Sequence, residues 1–216
     1  MVENLFWLGH ASFKITGEMV RDPHHPEQSR RMVVYVDPWQ IKKGGEPANI
    51  ILITHDHYDH CSAEDVKKIQ TKDTVIVTVS QCKSNLSGEI IITKPNEKIT
   101  VQGIEISAVP AYNLNKPFHP KANGYLGFIV NLNKKLYYHA GDTDFIPEME
   151  KVKCDIVLLP VSGTYVMTAE EAAKATEKIK PALAIPMHYG SIVGSRKDAE
   201  QFKKLCECSV EILEKS

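Results

Sequence analysis

Thr54-His55-Asp56-His57-Tyr58-Asp59-His60 packs three imidazoles and two carboxylates into seven residues, directly after the apolar run Ile50-Ile51-Leu52-Ile53. Four aliphatic residues emptying into polar ones read as a core strand opening into a loop. Imidazole and carboxylate together suit zinc and its first-row neighbours. A lone histidine after a strand is ordinarily a surface residue, but three interleaved with aspartate describe a metal site. His55 and His57, two positions apart in an extended loop, point to the same side and can grip one ion. Asp59 and His60 follow at a distance that lets the backbone turn and present a second pair. The segment is therefore suited to dividing its ligands between two adjacent metals. A catalytic zinc usually takes three protein ligands and a water, so further ligands must come from elsewhere.

Candidates for these stand at the ends of later apolar strands. Asp142 lies in Tyr138-His139-Ala140-Gly141-Asp142-Thr143-Asp144, where a strand stops at a glycine and an acid follows. His188 lies in Ala184-Ile185-Pro186-Met187-His188-Tyr189-Gly190, again at a strand end. His119, in Phe118-His119-Pro120-Lys121, is the one histidine between His60 and His139. His139 sits on the opposite face of its strand from residue 142 and reads as a core or supporting histidine. Asp37, after Val33-Val34-Tyr35-Val36, either orients a metal-bound imidazole through its second ring nitrogen or starts the turn at Pro38-Trp39. Asp144 is a pocket polar group or part of its own turn.

Many strands are needed to place these loops. Apolar runs predict them at 4–8, 12–16, 32–36, 50–53, 75–79, 89–93, 104–109, 127–130, 135–138, 156–159 and 182–186. Three helices carry start signals: Ser62 with Asp65, Thr168 with Glu171, and Ser195 before Ala199, Phe202 and Leu205. Strands throughout with helices concentrated later favour two packed sheets whose outer faces the helices cover. The segment Arg21–Arg31 reads as a polar loop, with His24 and His25 solvated or part of a lid or subunit contact.

The chain has 216 residues, 25% charged and 43% hydrophobic, with a formal net charge of -1. That fits one domain spanning 1–216 with a substantial core, and it offers no global basic field to collect nucleic acid. No apolar run approaches membrane-spanning length, and Met1-Val2-Glu3-Asn4 lacks a signal-peptide pattern. Five cysteines without a regular framework suggest reduced thiols and a cytoplasmic setting. Cys206 and Cys208 read as core or surface thiols, and Cys61 as a small buried hydrophobe or a site-lining thiol.

With these pieces assembled, the chain resembles the metallo-β-lactamase-fold hydrolases. The resemblance rests on the His-x-His-x-Asp-His loop, the Gly-Asp-Thr turn and Pro186-Met187-His188-Tyr189. Leu8-Gly9-His10-Ala11-Ser12-Phe13 and Leu159-Pro160-Val161-Ser162-Gly163-Thr164-Tyr165 narrow it to the small stand-alone branch with the ascorbate-phosphate-lactonase-like and related zinc-dependent hydrolases. It spans Leu5 to Gly190 and implies an α+β fold, a four-layer αββα sandwich with metals at one edge between the sheets. By motif it implies His55, His57 and a later histidine around a first metal. Asp59, His60 and His188 surround a second, and Asp142 bridges. Relatives often carry a histidine where this chain has Asn113. The third imidazole is then His119, with His10, Asn113 or water as the alternatives. His10, Asp37, His139 and Asn113 otherwise support the ligands or line the pocket.

The implied chemistry is hydrolysis with two divalent ions, zinc foremost and manganese or iron as alternatives, roughly 3.5–4 Å apart. A hydroxide shared by the metals would be the nucleophile, oriented by Asp59 as catalytic residue. The substrate is a small molecule carrying a lactone, an ester or amide, or a phosphodiester. Lys116, Lys121, Arg196 and Lys197 either meet an anionic substrate or are solvated surface charges. A nuclease on the same fold, a di-iron redox protein and a non-enzymatic metal or ligand sensor are the competing classes. A homo-oligomer is compatible with the sequence.

Overall fold

Runs of buried aliphatic residues form two mixed sheets in a computed structural model, which describes residues 3–20 and 29–216. The first sheet comprises β1 (Leu5–Gly9), β2 (Ser12–Val20), β3 (Ser29–Val36), β4 (Ile50–Leu52), β5 (Val75–Thr78) and β6 (Glu89–Ile92), paired in that order. Its first three strands are antiparallel, and β3 to β6 run parallel. The second comprises β7 (Lys98–Val101), β8 (Ile104–Pro110), β9 (Leu126–Leu132), β10 (Lys135–His139), β11 (Ile156–Pro160), β12 (Leu183–Met187) and β13 (Ser209–Val210). Here β7 to β10 are antiparallel and β10 to β13 parallel.

Every residue of β4, β5 and β11 is buried, as expected of strands covered on both faces. Helix α1 (Ala63–Ile69) fills the crossover from β4 to β5 and buries Val66 and Ile69. Helices α2 (Ala169–Ile179) and α3 (Arg196–Leu205) pack on each other and against β11 and β12. The result is an α+β sandwich, helices outside and sheets within, in αββα order. Between the sheets Phe13 of β2 meets His139 of β10 edge-on, with ring centroids 5.8 Å apart.

The helices begin where local hydrogen bonding starts them. Thr168 Oγ1 accepts from Glu171 N at 3.2 Å, and the Glu171 carboxylate accepts from Thr168 N at 2.8 Å. Ala169, Ala172, Ala173, Thr176 and Ile179 then lie on the buried face of α2 at helical spacing.

Two strands lack an apolar run to announce them. β7 is held by its hairpin with β8, and the two-residue β13 by parallel pairing with β12. Ser29, Arg30 and Arg31, expected in a loop, belong to β3 because Val20, Met19 and Glu18 pair with them across the hairpin. Residues 21–28, with His24 and His25, lie outside the described residues. Among the described residues no helix is long and apolar enough to cross a membrane.

Asp65 ties α1 to the loop that follows β3. Its carboxylate accepts from Gln40 N (2.9 Å), Ile41 N (2.8 Å), Ser62 Oγ (2.7 Å) and Lys68 Nζ (2.9 Å). Burial would raise its pKa, but the bonds from Lys68, Ser62, Ile41 and Gln40 outweigh this and lower it. A lowered carboxylate pKa stabilises the fold above the unfolded value and stops doing so as pH falls through the folded one. Asp65→Asn is expected to lose about 2 kcal/mol at neutral pH in urea unfolding. The deficit should hold constant down to about pH 5 and narrow below about pH 4. A deficit independent of pH would contradict this account.

Candidate metal centre

The parallel halves of both sheets end at one edge, and the polar residues follow the strand ends. Asp37 follows β3, His55 follows β4, Asp142 follows β10, Ser162 follows β11 and His188 follows β12. Open sheets gather ligands outside the carboxyl ends of parallel strands because the chain leaves the sheet there, freeing side chains and backbone. A backbone bond from Leu126 N to Thr54 O (3.1 Å) joins the first sheet's exit loop to β9 of the second.

Four of the imidazoles meet a partner on the side away from the cluster. Thr54 Oγ1 donates to Asp37 Oδ2 at 2.7 Å, so it must accept from His55 Nδ1 at 2.9 Å. His60 Nδ1 donates to the same Asp37 oxygen at 2.8 Å. His119 Nδ1 donates to Asn113 Oδ1 at 3.1 Å, and that oxygen also accepts from His119 N at 2.9 Å. His188 Nδ1 lies 3.1 Å from Ser162 Oγ. With Nδ1 protonated on His55, His60 and His119, their Nε2 atoms are left as lone pairs facing inward.

Those lone pairs converge on one carboxylate. Asp142, fully buried, has Oδ1 3.4 Å from His60 Nε2 and Oδ2 3.4 Å from His119 Nε2 and 3.0 Å from His188 Nε2. His57 Nδ1 is 3.0 Å from His55 Nε2, and the His57 ring is tilted against His119 with centroids 4.9 Å apart. Asp59 Oδ2 accepts from His10 Nε2 at 2.9 Å and lies 3.7 Å from His60 Nε2. His55, His57 and His119 thus form one group of donors. His10, Asp59, His60 and His188 form another, and a third of His55, His60 and Asp142 overlaps both.

Burial would raise the Asp142 pKa, but His188 and His60 outweigh it and hold the carboxyl well below its usual range. Burial would lower His60, yet Asp142 and Asp37 on its two sides push it well above. His55, buried and beside His60, goes well below. Burial lowers His119 and His10 too. His60 Nε2, His119 Nε2 and Asp142 Oδ1 are buried without a hydrogen-bond partner. Unpaired buried polar atoms are rare, and lone pairs gathered around a carboxylate are what divalent ions require. This donor set fits zinc and related metals.

The neighbouring candidates are occupied otherwise. His139 Nε2 donates to Ala11 O at 2.8 Å, and its Nδ1 accepts from Gly141 N at 3.2 Å, away from the cluster. Both polar atoms of the Asn113 side chain are engaged, Nδ2 donating to Asp144 Oδ1 (3.1 Å) and Tyr165 O (2.9 Å). Asp144 anchors this loop, accepting also from Leu114 N (2.8 Å) and Lys116 Nζ (2.6 Å). Lys121 pairs with Glu148 (2.9 Å) and Arg196 with Glu214 (2.8 Å), while Lys197 is exposed on α3. Cys61 is buried, and the Cys82 thiol lowers its pKa. The sequence assigns no role of their own to Thr54, Ser162 or Tyr125. Tyr125 lies tilted on His55 (5.0 Å between centroids) and donates to Asp56 at 2.6 Å. Thr54 adjoins His55 and Ser162 lies within the Leu159–Tyr165 motif; nothing in the sequence marks Tyr125.

The fold and this cluster define a metallo-β-lactamase-type protein, and a family model described as a β-lactamase superfamily domain matches residues 4–188. More narrowly, the chain belongs to the UPF0173 metal-dependent hydrolase family. It is 35% identical over 216 residues to the member from Thermoplasma acidophilum, covering 94% of this chain and 92% of that one. A solved Parabacteroides distasonis protein assigned as a metal-dependent hydrolase superposes with a TM-score of 0.80 at 29% identity, over 96% and 91% of the two chains. Igni18, a metallo hydrolase from Ignicoccus hospitalis, shares the fold with a TM-score of 0.75 at 23% identity, over 98% and 95%.

Asp37 provides a test of how the rings are held. Asp37→Asn keeps an oxygen for Thr54 N but loses the charge facing His60. Zinc affinity, read by chelator competition, is expected to fall about 10- to 100-fold. Wild-type affinity in this variant would show that Asp37 does not set the His60 ring.

Proposed function

We propose that the chain is a hydrolase working with two divalent ions, zinc by preference, with manganese or iron compatible with the same donors. His55, His57 and His119 would hold the first ion and Asp59, His60 and His188 the second, with Asp142 facing both groups. The observation that carries this reading is Asp142, whose two oxygens face imidazoles of both groups within 3.4 Å. When bound, such ions polarise a scissile carbonyl or phosphoryl group and supply a nucleophile from water at neutral pH.

The chain's own residues supply the rest. Burial would raise the Asp59 pKa, but the His10 hydrogen bond and His60 outweigh it, so Asp59 stays a carboxylate. It can therefore accept a hydrogen bond from the attacking water and hold the water's orientation. No serine or cysteine nucleophile is required: Ser162 Oγ faces His188 Nδ1, and Cys61 is buried. The substrate is a small molecule with a lactone, an ester or amide, or a phosphodiester to cleave. Five free cysteines support a cytoplasmic setting for a domain spanning the chain.

Purified protein should bind close to two ions per chain by elemental analysis. Joint replacement of His55 and His57 with Ala should remove one ion selectively, and His119→Ala should weaken binding as much as His57→Ala. Protein that stays metal-free after incubation with Zn²⁺ and Mn²⁺ would refute the reading.

Turnover separates mechanism from binding. It should rise with pH through an apparent pKa of about 7 and then level off. Asp59→Asn should lower kcat/KM by at least about 100-fold while the fold and much of the metal persist. Cys61→Ala should be mild; lost turnover in that variant with both ions present would instead implicate the thiol.

A further inference from the structure

Among the described residues, five large apolar side chains are well exposed: Tyr58 (68%), Leu114 (53%), Phe118 (42%), Leu205 (40%) and Ile192 (38%). Four of these lie on the loops that carry the metal cluster. Tyr58 stands between His57 and Asp59, Leu114 follows Asn113, Phe118 precedes His119, and Ile192 is four residues beyond His188. Two half-buried aromatics join them to the site. Trp39 lies edge-on to both Tyr58 (6.3 Å) and His10 (5.3 Å), and Tyr165 lies edge-on to Phe118 (4.6 Å). Single exposed apolar residues are ordinary on a protein surface, but their concentration around one reactive cluster marks a binding surface.

The charges around the same loops point the same way. Lys116, between Leu114 and Phe118, has its ammonium on Asp144 at 2.6 Å and 4.0 Å from Glu171. Lys121 and Arg196 also face carboxylates. Asp56, half-exposed beside His57, adds a further negative charge. At this rim, away from the metal donors, a phosphate or carboxylate would have to take these cations from their partners, while an alkyl or aryl group would cover surface already apolar.

Resting on the hydrolase reading above, we infer that the site takes neutral acyl compounds whose alkyl or aryl acyl group packs on Tyr58, Leu114 and Phe118. Hydrolysis adds water across the acyl C–O or C–N bond. The water oxygen joins the acyl carbon, its proton goes to the leaving oxygen or nitrogen, and a carboxylic acid leaves with an alcohol or amine. No oxidant, reductant or other co-reactant is involved. Acyl groups bearing a carboxylate are poor substrates, because Lys116, Lys121 and Arg196 are already paired.

The test pairs binding with turnover on the zinc-loaded full chain. By calorimetry, hexanohydroxamate should bind about 10-fold more tightly than acetohydroxamate, and succinic monohydroxamate no more tightly than acetohydroxamate. kcat/KM should rise by a similar factor from p-nitrophenyl acetate to p-nitrophenyl hexanoate, both exceeding bis-p-nitrophenyl phosphate. Joint Leu114→Ser and Phe118→Ser substitution should bring both chain-length ratios to within about twofold of one, with zinc content measured in the same samples. Equal affinity for the two alkyl hydroxamates, preference for the succinyl compound, or faster cleavage of the phosphodiester would overturn the inference. So would a dimer by light scattering that the double substitution splits, because the rim would then be a seam between copies. Chain-length-dependent binding without any turnover supports the apolar subsite and fells the hydrolase reading. Turnover without chain-length preference does the reverse.

Discussion

The centre depends on a buried carboxylate shared by three imidazoles. Asp142 is buried just past the end of β10, where the two sheets meet at one edge, and an ion buried without partners costs several kcal/mol. His60 from the first sheet and His119 and His188 from the second meet that cost together. His60 is itself placed between Asp142 and Asp37, so a positive charge at its Nε2, whether a proton or a metal ion, satisfies both sides. Metal affinity and the packing of the two sheets therefore rest on the same contacts.

Holding these groups at the strand ends forces the backbone into unusual conformations. His10, Asp37 and His188 have φ values of 53°, 46° and 59°, in the left-handed region that non-glycine residues seldom adopt. Such strain persists only where the surroundings over-determine it. Here His10 O accepts from both Trp7 Nε1 (2.9 Å) and His188 N (3.0 Å), so two of the strained residues brace each other. Asp37 is clamped by Leu52 O on its amide and by Thr54 on its carboxylate. Gly141 shows the same crowding: its φ is 66°, and a Cβ there would strike Leu126 O. Only glycine lets the chain turn there and bring Asp142 to the cluster.

What was legible in the sequence was what is encoded locally. Ser62 with Asp65 and Thr168 with Glu171 announce their helices because caps span only four residues. The aliphatic runs of β4 and β11 announce strands covered on both faces. The histidine loop stands out because its donors are adjacent in the chain. β7 and β13 were not legible, since pairing with a neighbour, and not composition, makes them strands. The roles of Thr54, Ser162 and Tyr125 follow from where the back of an imidazole falls after folding, and no spacing rule carries that. Lys116 illustrates the same limit. From sequence it is a solvated charge or an anion contact, but the loop folds back and seats it on Asp144.

This division between strand ends and loops separates two tasks. The donors and the groups that pin them, His57 and Ser162 apart, are buried, and hydrogen bonds join them, so replacing one disturbs its neighbours. The apolar side chains at the mouth lie on the same loops but project into solvent, where few packing contacts constrain them. Phe118 and His119 are adjacent in sequence, yet one is 42% exposed and the other 1%. Side chains at the mouth can therefore change, and with them the shape of molecule that fits, while Asn113 and Asp144 keep the loop and its imidazole in place. Strand ends with fixed polar chemistry and a replaceable rim would let one fold serve different small substrates without rebuilding its centre.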